Sequence, residues 1–212
     1  MDAVDIEIAG EGVVLFADRA LFWPSESALL IADLHLGKAD TFRTAGIALP
    51  SGGTRHDLDR LSHLIERTHA DRLIVLGDML HASPKPMRWR ETWDAWRAHH
   101  ATLRIDVIAG NHDRALASAG LDVEHHTHAL AVAPFVLRHA PHESPGAHVI
   151  CGHVHPVVRL PRISGRWPAF VLRESVTILP SFSAFTGGGE IDASGSRLAV
   201  CNGAQIALYP VR

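Results

Sequence analysis

"VIAGNHDRA", Val107 to Ala115, runs a strand-forming segment into Gly-Asn-His-Asp, four residues that weaken strands and favour turns. A polar turn closing a buried strand would account for this, and so would a strand end that presents side chains to a ligand. Repetition decides between them. "ALLIADLH" (Ala28–His35), "RLIVLGD" (Arg72–Asp78), "FVLRH" (Phe135–His139) and "AHVICGHVH" (Ala147–His155) are apolar runs that also end in carboxylate or imidazole residues. One such end is most simply a turn, whereas five in order point to strand ends converging on a common site.

Between these runs the periodicity is helical. "TRHDLDRLSHLIERTH" places Leu58, Leu61, Leu64 and Ile65 on one face, with Thr54 as the expected cap. "RWRETWDAWRAHH" sets Trp89, Trp93 and Trp96 four and three residues apart, the pattern of a core stripe. After Asp113 the pattern changes: "HALAVAPFVLRH", "AHVICGHVH", "AFVLRESVTILP", "RLAVCN" and "AQIALYP" are strands linked by turns. Alternating strand and helix favours parallel pairing, and the second half is mostly β. The expectation is one α/β domain over residues 1–212, built on two packed sheets. "EHHTH" (Glu124–His128) and "FTGGGEIDASGS" (Phe185–Ser196) are expected at the surface, the first as turn or helix and the second as loop.

Bulk properties narrow the class. With 47% hydrophobic and 20% charged residues and a net charge of −3, the chain has no global positive field to recruit nucleic acid or acidic membranes. No apolar run approaches a membrane span, and the acidic "MDAVDIEIAGEG" lacks the plan of a signal peptide. Cys151 and Cys201 are the only cysteines, which favours a reducing, cytoplasmic setting without a disulfide framework. Sixteen histidines are several-fold more than usual, and the informative ones stand at strand ends.

Those ends supply Asp33, His35, Asp78, Asn111, His112, Asp113, His139, His153 and His155, with no thiolate among them. Mixed nitrogen and oxygen donors suit Mn²⁺, Fe or Zn²⁺. Asp-x-His and His-x-His put two donors two residues apart, so a tight loop beyond the pleat can turn both towards one point. His142 competes with His139, which is preferred because it directly follows the strand "FVLR".

The order D-x-H, G-D, G-N-H-D, H, G-H-x-H from Asp33 to His155 resembles the calcineurin-like metallophosphoesterases. "ADLHLGKADTFRTAGIALPSGGT", "GHVHPVVRL" and "LPSFSAFTGG" are similar to the ligase-associated DNA-damage-response subgroup, the PdeM family. The resemblance implies a four-layer α/β/β/α sandwich, two mixed β-sheets flanked by helices, with a dinuclear metal centre. Asp33, His35 and His155 would hold one divalent ion, Asn111, His139 and His153 the second, and Asp78 would bridge them. Manganese is the expected metal, with Fe or Zn²⁺ as alternatives. His112 would protonate the leaving group, and Asp113 would fix its tautomer by accepting the other ring proton. The activity implied is phosphodiester hydrolysis, with DNA as substrate and a DNA ligase or helicase as repair partner.

Several residues are open to two readings. Lys38, Arg43, His81 and Arg114 are candidates for substrate contact or simply solvated loop and helix positions. The groups Lys85, Arg88, Arg90 and Arg159, Arg162, Arg166 would suit a nucleic-acid backbone or an ordinary charged surface. Phe182 and Phe185 fit core packing better than base stacking, and Cys151 an inert core thiol. The alternative activity is a nucleotide or UDP-sugar-lipid pyrophosphatase, disfavoured because no helical insertion between the motifs offers an acyl-binding cap. A non-catalytic scaffold would lack part of the ligand set, and here every position is filled.

Overall fold

A computed structural model describes residues 1–47, 52–81 and 88–210. The chain opens with a meander of β1 (Ala3–Ile8), β2 (Glu11–Phe16) and β3 (Ala20–Trp23) that leads into β4 (Ala28–Ile31). Helices α1 (Lys38–Thr44) and α2 (Gly53–Thr68) precede β5 (Arg72–Leu76), and α3 (Arg88–His99) precedes β6 (Arg104–Ile108). With β7 (Glu124–His126) these strands form a seven-stranded sheet in sequence order. It is antiparallel from β1 to β4 and parallel from β4 to β7. Helical crossovers impose the parallel half.

The second sheet takes up β8 (Ala129–Val132), β9 (Phe135–Arg138), β10 (His148–Cys151), β11 (Pro156–Leu160), β12 (Ile163–Leu172) and β13 (Val176–Ile178). Short β14 (Gly189–Glu190) pairs with β11, while β15 (Arg197–Cys201) and β16 (Ile206–Pro210) extend it beside β12. Parallel β9–β10 and β10–β13 pairs sit among antiparallel ones, so both sheets are mixed.

Alternation along the central strands builds the layers. Leu29, Ile31, Leu73, Val75, Ile105 and Val107 face the helices, against Leu58, Leu61, Trp93 and Trp96. Their neighbours Ala28, Leu30, Ile74, Leu76 and Ile108 face the second sheet, against Phe135, Leu137, Ile150 and Phe170. Coverage on both faces is why these strands are unbroken apolar runs. Trp93 is 1% exposed, and truncating such a side chain to alanine costs about 3–5 kcal/mol. A third cluster, including Cys151, Val171 and Leu198, lies on the far face of the second sheet. Among the described residues, strand side chains and the segment around Ile191 cover it, and no helix does.

Local readings needed three corrections. Thr54 lies inside α2; the cap is Gly52, in the left-handed region at φ 93°, with no side-chain cap bond. Glu124–His126 is a strand rather than a turn or helix, because pairing with β6 overrides its polarity. The surface loop at 185–196 contains the β14 bridge to β11. Lys85 falls outside the described residues. Among the described residues no helix is long and apolar enough to cross a membrane.

Candidate metal centre

The loops beyond β4, β5, β6, β9 and β10 meet at one end of the two sheets. Parallel pairing continues past the strands: the His35 and Leu36 amides donate to the Asp78 and Met79 carbonyls at 2.8 Å, and the His81 amide to Leu36 at 3.0 Å. That zipper sets Asp33-Leu-His35 beside Gly77-Asp78. From the other sheet, the His153 amide donates to Asp33 Oδ2 at 3.0 Å, and from the loop after β6 the His112 amide donates to Asp78 Oδ1 at 2.9 Å.

Two sets of ligand atoms converge within 4.8 Å of one another: Asp33, His35 and His155, and Asp33, Asp78 and His139. Asp33 is the residue common to both, whereas the resemblance implies bridging by Asp78. Asn111 and His153 join the second set, with Asn111 Oδ1 and His153 Nδ1 each 2.9 Å from His139 Nε2. Because His139 Nδ1 donates to the Leu76 carbonyl at 3.2 Å, the neutral ring leaves Nε2 as a bare lone pair. Three ligand atoms thus crowd one point, which suits a shared cation. The first set is the more telling. Asp33 Oδ1, both His35 ring nitrogens and His155 Nε2 are buried without any hydrogen-bond partner. Such orphans are costly unless a metal takes them, so the donor set fits divalent ions.

The contrast is Asp106, Glu124 and His126, which also cluster closely. There Arg72 Nε donates to Asp106 at 2.8 Å and Arg104 Nη2 to Glu124 at 2.8 Å, so the carboxylates are already neutralised.

The backbone is bent to make the convergence possible. Asp33, His35, Asp78, His153 and His155 all have positive φ, between 44° and 70°, half of the ten such non-glycine residues described. Each left-handed residue costs about 1–2 kcal/mol, strain that clusters at functional sites. Glycine spacers let the ligands close in. A Cβ on Gly77 would lie 1.9 Å from His139 Nδ1, and one on Gly110 2.2 Å from Asp78 Oδ1.

Burial sets the protonation of the site. His35 is pushed down to about 2, by desolvation first and then by Lys38 and the histidines around it. His153 is lowered by burial and then by His139. Both therefore offer neutral lone pairs at neutral pH.

His112 is exposed at the open side, with its ring centroid 5.6 Å from His35 and stacked 5.3 Å from His81. His81 also stacks on Phe42 at 5.9 Å, and its buried Nδ1 has no partner. Asp113 departs from the implied role. It is 4% exposed, and its carboxylate accepts from the amides of Leu80 at 2.8 Å, Gly110 at 2.9 Å and Met79 at 3.2 Å. It ties the Gly-Asp and Gly-Asn-His loops together instead of orienting the His112 ring, because those buried amides would otherwise be orphaned. Burial raises its pKa against the pull of the three amides.

Lys38 is half-buried near Asp33 and Asp78, lowered by burial, and donates to Thr186 Oγ1 at 3.0 Å. Arg43 pairs with Asp40 on α1, Arg114 is exposed, and His142 is exposed and belongs to neither ligand set. Phe182 is fully buried under Arg60, whose guanidinium lies 4.3 Å from the ring centroid, and Phe185 packs beside Gly53.

Sequence reasoning missed a brace behind Asp33. The Phe182 amide donates to the Ala32 carbonyl at 2.7 Å and Ser181 Oγ to the Asp33 carbonyl at 3.0 Å. Arg60 Nη1 donates to the Phe182 carbonyl at 2.9 Å, and Arg19 Nη1 to those of Ser181 and Ser183 at 3.3 and 3.2 Å. These partners lie more than a hundred residues apart, so no local pattern announces them.

A model of the calcineurin-like phosphoesterases matches residues 27–140. A nuclease, MPE, from Pseudomonas putida is 37% identical and superposes with a TM-score of 0.85 over 98% of this chain and 100% of that one. Yfce, a phosphoesterase from E. coli, shares the fold at 15% identity and a TM-score of 0.50, over 87% of this chain and 99% of that one. No curated protein matches the chain.

Proposed function

The chain belongs to the calcineurin-like phosphoesterases, hydrolases of phosphoric esters, and from that premise we propose that it cleaves phosphodiesters, those of DNA in particular, with manganese as the working metal. The observation that carries the metal-dependent hydrolase reading is the donor set with its unpartnered atoms, beside an exposed histidine. The nuclease among its structural relatives supports the phosphodiesters of nucleic acid as the substrate, and DNA in particular rests on the resemblance.

Asp33, His35 and His155 would hold one ion, and Asp78, Asn111, His139 and His153 the other. Bound divalent ions supply neutralisation of the phosphoryl charge and a water of lowered pKa. The chain's own groups do the rest. Asp78 anchors the His112 amide, which fixes the ring at the open rim, where it would hand a proton to the departing oxygen. Lys38 adds a positive charge that favours an anionic substrate. Asp113 keeps the two loops in register. The repair setting and a ligase or helicase partner belong to the same proposal and rest on the resemblance.

The test is hydrolysis of bis(p-nitrophenyl) phosphate against p-nitrophenyl phosphate, with and without Mn²⁺, alongside His112→Ala. The proposal expects metal-dependent diester cleavage that exceeds monoester cleavage and collapses in the variant. Bound metal without cleavage of either ester would refute it and favour a narrow pyrophosphatase.

A further inference from the structure

The segment 186–190 passes the metal centre and is met by a basic side chain at every second residue. Lys38 Nζ, beside Asp33 and Asp78, donates to Thr186 Oγ1 at 3.0 Å. Arg166 Nη1 donates to the Gly188 carbonyl at 3.4 Å, and Arg159 Nε to Glu190 Oε1 at 2.7 Å. The segment stays beside the metal site as far as Gly189, whose amide donates to the carbonyl of His155 at 3.2 Å. It then pairs in parallel with β11, Pro156 opposite Gly189 and Val157 opposite Glu190, so both lead outward together.

The hairpin of β11 and β12 supplies two of the cations. Val158 pairs with Trp167, and Leu160 with Ile163. Val158, Leu160 and Trp167 belong to the apolar cluster behind the sheet. Arg159 and Arg166 lie in the interval between those two pairs, where the register shifts, and both reach the 186–190 segment at the sheet edge. Arg159 and Glu190 are 67% and 52% exposed, so their ion pair is weak and readily exchanged for another anion. Two residues of extended chain span about 6.6 Å, comparable with the spacing of successive phosphates along an extended nucleic-acid strand.

We propose that Lys38, Arg166 and Arg159, fastened along 186–190, form a track that grips the phosphates of a single nucleic-acid strand leaving the metal centre. The track deepens the diesterase reading and rests on it. Glu190 is the built-in competitor: its carboxylate occupies Arg159 until a phosphate displaces it.

The experiment measures binding of a fluorescent single-stranded oligodeoxynucleotide to the full chain by anisotropy across a salt series. It compares wild type, Arg159→Ala/Arg166→Ala and Glu190→Gln. Each phosphate contact on a single strand contributes about 0.7 to the slope of log K against log salt. The double variant is expected to lose about 1.4 of slope and roughly tenfold in affinity at low salt, while Glu190→Gln binds more tightly. Wild-type slope and affinity in both variants would overturn the track.

Turnover of bis(p-nitrophenyl) phosphate on the same preparations separates the two failures. A small diester cleaved with no change in strand binding removes the track and leaves the diesterase. Weakened strand binding in a protein that cleaves no small diester upholds the track as a binding surface and refutes the diesterase.

Discussion

Replacing Gly77 by alanine tests whether close approach of His139 to the β5 loop is what builds the second ligand set. The added methyl would sit 1.9 Å from His139 Nδ1, where ordinary contact begins near 3.4 Å, so the ring must withdraw by about 1.5 Å (3.4 − 1.9). It has little freedom to do so, being 8% exposed and held by the Leu76 carbonyl at 3.2 Å. Collision of this kind costs about 1–3 kcal/mol. Alanine at the Gly77 φ of +82° adds about 1–2 kcal/mol. The expected loss is thus about 2–5 kcal/mol in urea unfolding. Displacing a ligand by more than 1 Å should lower kcat/KM for bis(p-nitrophenyl) phosphate by about 10²-fold or more, and bound manganese should fall on equilibrium dialysis. Gly10→Ala is the control, because its φ is +83° with nothing within 4 Å of the new Cβ. It should show the backbone cost alone and keep full activity. Wild-type metal content and turnover in Gly77→Ala would refute the reasoning.

Further outcomes follow from the same geometry. His112→Ala should lower diester turnover by about 10²–10⁴-fold while keeping its metal content on dialysis; loss of metal would instead make it a ligand. In metal-free protein, His35 and His148 are held below the ordinary value of 6.5, by burial first. Their stabilising contribution is therefore full above that pH and is lost as pH falls towards the folded values. Unfolding free energy should drop by up to about 1.4 kcal/mol per pH unit for each such group, and a flat urea profile from pH 7 to 5 would refute this. Arg60→Ala leaves Asp57 and the Phe182 carbonyl without that donor and should destabilise by about 3–5 kcal/mol; a loss under 1 kcal/mol would show that the brace behind Asp33 is slack.

The candidate site was legible because its ligands stand at the ends of strands whose apolar runs are hard to mistake. Asp33, Asp78 and Asn111 stand within three residues of the ends of β4, β5 and β6, and His139 and His153 within two of the ends of β9 and β10. The tryptophan stripe marked α3 for the same reason, a period that matches one buried face. What stayed hidden was long-range. The meander β1–β3 is weakly patterned and is held by pairing with β4. The role of Asp113 depends on amides of another loop, which no spacing in the sequence reports. The clasp of Arg19 and Arg60 on 181–183 is likewise a product of folding.

The left-handed ligands carry a consequence for how the chain can change over generations. Asp33, His35, Asp78, His153 and His155 together hold about 5–10 kcal/mol of backbone strain at roughly 1–2 kcal/mol each. A whole domain is stable by only about 5–15 kcal/mol. Glycine or asparagine at these positions relaxes that conformation, so losing a ligand relieves the fold even as it abolishes the chemistry. Selection for stability alone would therefore erode the metal centre first, and a sturdy, silent descendant lies only a few substitutions away.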